Sequence, residues 1–260
     1  MALSATARPI DGAVATLGVS DRVTFLRNTY AHLGAALIAF AAITGGMMKF
    51  MTQSSFHFSM WALTGGRLNW LIVLGLFMAV GWIAQKLAMS ETSRGLQYVG
   101  LGLAVSAEAL LLQPMLWVLM LSFGNAEEIL AGDQAALVLS HQAASILGQA
   151  VVITLAIFIG LTLTVFITKK DFSFMRGALT IGSFALLGTI IASMIFGFHL
   201  GAIFSGIVIL LMAGYILYQT SLVMSHFPPT AYVAASLMLF STVATLFWYV
   251  LRLLMSLNRR

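Results

Sequence analysis

The chain alternates long uncharged runs with short polar interruptions, and the clearest pair of runs stands near its end. Residues 200–223 and 231–251 each exceed 20 residues without one charged side chain, and a seven-residue link holding Phe227, Pro228 and Pro229 separates them. At a rise of 1.5 Å per residue, about 20 helical residues cross a hydrocarbon core of roughly 30 Å. A backbone in lipid has to satisfy its own hydrogen bonds, and a helix does so within one segment. Proline lacks a backbone donor and breaks helices, so the two prolines mark a reversal. The pattern predicts a transmembrane helical hairpin. Runs of the same length recur upstream and predict helices over residues 29–48, 70–89, 97–119, 143–168, 177–196, 200–224 and 231–256. The fold class is therefore all-α, a polytopic membrane protein of seven transmembrane helices with its termini on opposite faces. Its organisation reads as a polar N-terminal segment, residues 1–24, followed by one seven-helix domain, residues 25–257.

Composition sharpens this. Sixty per cent of the residues are hydrophobic and 8% are charged, whereas a soluble domain carries about 25% charge. Lipid has to cover the difference. The first 24 residues include Arg8, Pro9, Asp11, Asp21 and Arg22 and have no apolar core, so no cleaved secretory signal is expected. With the N-terminus inside, the cytoplasmic segments hold Arg8, Arg22, Arg27, Lys86, Arg94, Lys169, Lys170 and Arg176, against Lys49, Arg67, Arg252, Arg259 and Arg260 on the other face. Eight against five favours a cytoplasmic N-terminus. Residues 123–140 hold Glu127, Glu128 and Asp133 but no Lys or Arg, as suits an external excursion with an interfacial helix. A compact chain of this kind fits a bacterial inner membrane. The net charge of +5 sits in loops, where it speaks for lipid headgroups and orientation rather than for nucleic acid.

Few side chains offer chemistry. Glu108 is the only acid inside a predicted crossing. A charge there is expensive, so the group is protonated, paired or open to a watery cavity, and it stands either as a neutral helix–helix contact or as a proton or cation site. His32, His141 and His199 fall in or beside helices, His57 and His226 in loops, and none has metal-ligand spacing. A relay between His199 and Glu108 is the functional alternative to ordinary hydrogen bonding. No cysteine is present, no lysine lies in the last crossing to carry retinal, and no nucleophile–base cluster suggests a hydrolase. Neither catalytic residues nor a cofactor nor a metal is expected. Gly45, Gly46, Gly100, Gly102, Gly201 and Gly206 would permit close helix approach. Trp117, Trp248 and Tyr249 suit membrane interfaces. Lys169, Lys170 and Arg176 form a basic cluster, read as an orientation signal or as a contact for anionic lipid or a partner.

Several local strings resemble the Bax inhibitor-1/YccA family. They are Lys169-Lys-Asp-Phe-Ser-Phe174 after the fourth crossing, Tyr215-Ile-Leu-Tyr218 near the end of the sixth, and Tyr232-Val-Ala-Ala235 with Leu246-Phe-Trp-Tyr-Val-Leu-Arg252 in the seventh. Weaker echoes are Arg27-Asn-Thr-Tyr30, and Leu96-Gln-Tyr-Val-Gly-Leu101 with Glu108 and Pro114. The resemblance implies a bundle with the last helix at the centre, wrapped by the other six. It also implies, for some members, a proton-sensitive calcium leak built on two aspartates of the last two helices. The matching positions here are Gln219 and Thr242, which neither titrate nor offer calcium a carboxylate. They are expected either to hydrogen-bond as helix glue, with Ser241 and Thr245 on the same face, or to line a neutral gate. Two functions follow as expectations. One is a non-enzymatic regulator or partner of a membrane protein complex, such as a membrane-bound AAA protease or its scaffold. The other is a proton or calcium leak through Glu108, with an ion as ligand.

Overall fold

The computed structural model describes residues 16, 18–90, 93–130 and 139–259. Most of the polar N-terminal segment, with Arg8, Pro9 and Asp11, lies outside them, as do Asp133 and Arg260. The helices among the described residues are α1 (Val19–Phe50), α2 (Thr52–Thr64), α3 (Arg67–Ala88), α4 (Arg94–Phe123), α5 (Ala126–Leu130), α6 (His141–Thr168), α7 (Arg176–Phe196), α8 (Ala202–Ser225) and α9 (Tyr232–Asn258). A 3₁₀ turn, Ser173–Met175, leads into α7. Seven of these, all but α2 and α5, are long and apolar enough to cross a membrane.

The last helix is central. It packs on α1, α3, α4, α6 and α8, while α7 leans chiefly on α8. Its side chains explain this: Ala235, Leu239, Phe240, Leu246 and Leu251 are fully buried, recurring at helical spacing on more than one face. Helix α4 shares the centre. Two-thirds of the most apolar window of α4 and of α9 is buried inside the protein, against 6% for α7. Ile181, Phe184, Ile195 and Phe196 of α7 stand exposed, an arrangement stable only where lipid covers them.

Helix α1 differs most from its expected bounds. It begins at Val19, ten residues early, because Asp21, Arg22 and Arg27 interrupt the apolar run without breaking the helix. Phe25 and Thr29 are buried on that extension, so it is docked rather than free. The second difference is α2. Its buried face is Ser55, Ser59 and Ala62, a small and mostly hydroxylic stripe that does not announce itself as amphipathic. His57, expected in a loop, lies on this helix. The acidic excursion holds the short α5.

Of the glycines expected at helix contacts, Gly100 alone meets a close backbone. A methyl there would come within 2.5 Å of the Ala84 carbonyl oxygen and 2.7 Å of the Ala88 nitrogen, whereas at Gly45, Gly46, Gly102, Gly201 and Gly206 it would meet nothing within 4 Å. Trp117 is not at an interface either. It is 1% exposed, covered by α2.

Candidate functional site

Two polar centres lie along α9. The first joins it to α8. The Thr242 hydroxyl donates to Gln219 Oε1 at 2.8 Å, and also approaches the Met238 carbonyl at 3.3 Å. Both side chains are more than nine-tenths buried, and neither lines the two cavities described below. The pair is neutral, mutual and packed over. Ser241 and Thr245 do not extend it: the Thr245 hydroxyl donates to the Ser241 carbonyl within the same helix, at 2.8 Å. Thr220 turns the other way, towards α1 and α6, where its hydroxyl neighbours those of Tyr30 and Thr162. All three hydroxyls are buried.

The second centre begins one turn further along α9, at Thr245, and runs to Arg252. A cavity of about 390 Å³ between α3, α4, α7 and α9 is lined by Glu108, His199, Arg252, Thr245 and Ser193, with Trp70, Trp248 and Tyr249. Helix α4 brings Glu108 to it at 9% exposure. The α7–α8 connection supplies His199. Among the described residues Glu108 has neither a hydrogen bond nor an ion pair, although Arg252 shares its cavity. The guanidinium is held instead by the Leu200 carbonyl at 2.7 Å and lies 5.7 Å from the centre of the Trp248 ring. His199 and Glu108 thus border one space. Arg252 was readable from sequence only as a terminal charge. The available signal was that it is the basic residue inside the last predicted crossing, and opposite charges buried in one bundle tend to face each other.

A third set escaped sequence reading altogether. The Trp117 indole donates to Ser55 Oγ at 2.9 Å, Ser55 Oγ donates to Gln113 Oε1 at 2.7 Å, and the Gln113 amide donates to the carbonyls of Ala109 at 3.1 Å and Thr44 at 3.4 Å. This chain ties α2 and α1 to α4 beside Pro114, whose missing N–H loosens the backbone ladder there. Its members satisfy one another, as buried polar groups must.

The basic cluster is exposed. Lys169 ends α6 in a left-handed conformation, φ 50°. Asp171 accepts from the Ser173 N–H at 2.8 Å and from its hydroxyl at 2.9 Å, and the Phe172 N–H donates to Ser221 Oγ at 3.2 Å. The Lys-Lys-Asp string is therefore a turn pinned to the end of α8, presenting Lys169, Lys170 and Arg176 outward.

Among the described residues no group of three His, Cys, Asp or Glu could hold a metal ion. No curated protein and no solved structure matches the chain. The family model described as inhibitor of apoptosis-promoting Bax1 matches residues 22–259, from the first turn of α1 to the end of α9. With seven apolar helices, the last of them buried at the centre, this membrane protein belongs to the Bax inhibitor-1 family.

Proposed function

We propose that this protein works without enzymatic chemistry, as a regulator or interaction partner of a membrane protein complex, such as a membrane-bound AAA protease or its scaffold. Its setting is a bacterial inner membrane with the N-terminus in the cytoplasm. The observation that carries this reading is the Thr242–Gln219 hydrogen bond. Where relatives are expected to hold a titrating pair, this chain has a neutral bond worth on the order of 1 kcal/mol, closed over by packing. Such a seam holds two helices together and supplies no charge to open them. The barely covered α7 and the outward Lys169, Lys170 and Arg176 then serve as contact surface on the cytoplasmic side. Solubilisation of native membranes in a mild detergent should bring the protein down within a larger assembly, and replacing the three basic residues by Gln should shrink it. Recovery solely as a free monomer would overturn the proposal.

A second reading rests on Glu108. An acid without a partner among the described residues, bordering a cavity with His199 and Arg252, suits a proton or cation leak whose entrance is on the face opposite the N-terminus. Protonation would decide whether Glu108 attracts Arg252 across the cavity. Reconstituted flux that varies with pH and is abolished in Glu108→Gln would favour this reading, and unchanged flux would remove it.

A further inference from the structure

A larger cavity lies on the other side of α9. Helices α1 and α6 both pack on α9 but scarcely on each other. Near the N-terminal end of α1 an aromatic clasp closes the gap: Tyr30 stacks edge-on to Phe166 at 5.6 Å and tilts against Phe158 at 6.5 Å. Beyond the clasp the two helices part, and a cleft of about 1190 Å³ opens between them. Leu112 and Leu116 of α4 and Val243, Ala244 and Phe247 of α9 form its back, and α2 closes the far end. Pockets for drug-sized ligands span about 300–1,000 Å³, so this one is large.

Its chemistry is sorted along its length. The deep part is apolar, apart from Thr44 and Thr154, which are 6% and 2% exposed and whose hydroxyls have no hydrogen-bond partner among the described residues. The polar groups Lys49, Thr52, Gln53 and His57 gather at the α2 end. Lys49 and His57 are the ionisable side chains on the lining, and no acid lies among the described lining residues. Lys49 is exposed at the end of α1, where the protein leaves the bilayer, 5.5 Å from the Phe50 ring. An open side between two crossing helices faces hydrocarbon, so what enters comes from the membrane.

We infer that this cleft holds one acyl chain of a glycerophospholipid, drawn from the leaflet opposite the N-terminus, with the lipid phosphate at Lys49. The apolar channel accepts the methylenes, and the lysine at its mouth is a strongly hydrated point charge suited to a phosphate. The geometry sets the direction: head at α2, chain tip towards the Tyr30 clasp. The site is independent of the Glu108 cavity and of any partner complex.

Gly45 lines the cleft with nothing within 4 Å of an added Cβ, so a side chain can leave the backbone there without a clash, and Gly45→Phe puts a ring at the cleft wall. Gly160 of α6 is equally open but does not line the cleft, and Gly160→Phe is the control. Protein purified in detergent is delipidated and exposed to mixed micelles of phosphatidylglycerol, phosphatidylethanolamine or diacylglycerol, and bound lipid is counted by native mass spectrometry. About one phospholipid per chain is expected for the parent and for Gly160→Phe, and a several-fold loss for Gly45→Phe. Lys49→Gln should reduce retention of both phospholipids and leave diacylglycerol unaffected. Equal retention in Gly45→Phe and the parent would overturn the site, and equal retention in Lys49→Gln would overturn the phosphate contact. Should Gly45→Phe fail to fold, a phospholipid with a photoreactive chain terminus settles the matter on the unaltered chain. Labelling of α4 and α9 peptides around Leu112 and Val243 supports the site, and labelling confined to α7 refutes it.

Discussion

The Gln219–Thr242 seam and the Glu108 cavity lie along the same central helix, with Thr242 and Arg252 about 15 Å apart at 1.5 Å per residue, and they treat polarity in opposite ways. At the seam, donor and acceptor meet at 2.8 Å and packing closes over them. In the cavity an acid, a guanidinium and an imidazole border about 390 Å³ of space, and the acid has no partner among the described residues. A neutral pair can be sealed because each group meets the other's demand at little cost. A carboxylate and a guanidinium cost several times more to bury, and the bundle leaves room around them. One half of the helix is fastened and the other is available to respond.

The strongest way to break this contrast is to put charge into the seam. Two carboxylates at that separation cannot both ionise cheaply. The double variant Gln219→Asp, Thr242→Asp should lose on the order of 3–5 kcal/mol at pH 8 and recover most of it at pH 5, as one acid keeps its proton. The parent seam has no titrating group and should show no such recovery. Thermal unfolding in detergent at both pH values reads the difference. Next in size is Thr242→Val, which leaves the Gln219 amide oxygen buried without its donor and should cost about 1–3 kcal/mol by the same measurement.

Accessibility separates the centres without altering charge. The chain has no cysteine, so single replacements report cleanly. Thr245→Cys, on the cavity, should react with a water-soluble thiol reagent added to the face opposite the N-terminus, since the thiolate needs water to form. Thr242→Cys should stay unmodified; equal rates would erase the distinction between the two regions. The smallest expected effect on stability is that of Glu108→Gln, smaller than that of Thr242→Val, because the side chain gives up no hydrogen bond among the described residues. A loss comparable to that of Thr242→Val would mean that Glu108 is held as firmly as the seam.

The seven crossings were legible because length and lack of charge decide them, and six of the seven begin and end within four residues of the runs that announced them. Helix α1 was not, since Asp21, Arg22 and Arg27 hid a helix that continues past the apolar run. Helix α2 was silent because Ser55 and Ser59 bury hydroxyls, and its partner Gln113 gives no periodic signal. The pairing of Gln219 with Thr242 was readable from the order of family strings. That His199 and Arg252 share a cavity with Glu108 was only half readable, because residues from four helices meet there and sequence spacing says nothing about which helices face each other. The cleft between α1 and α6 is a property of two helices diverging, to which no local pattern corresponds.

Gly100 gives the Glu108 cavity a mechanical origin. Backbones of α3 and α4 touch where a methyl would strike Ala84 and Ala88, close to the turn that joins the two helices. The same pair of helices supplies Trp70, Leu74 and Phe77 on one side of the cavity and Glu108 and Leu111 on the other. Rods riveted at one tip can splay only towards the free tip, so the missing methyl acts as the pivot of a pair of shears whose blades flank the acid. Even an alanine at position 100 would prise the rivet apart and change how widely the blades stand, at a distance from the group they enclose.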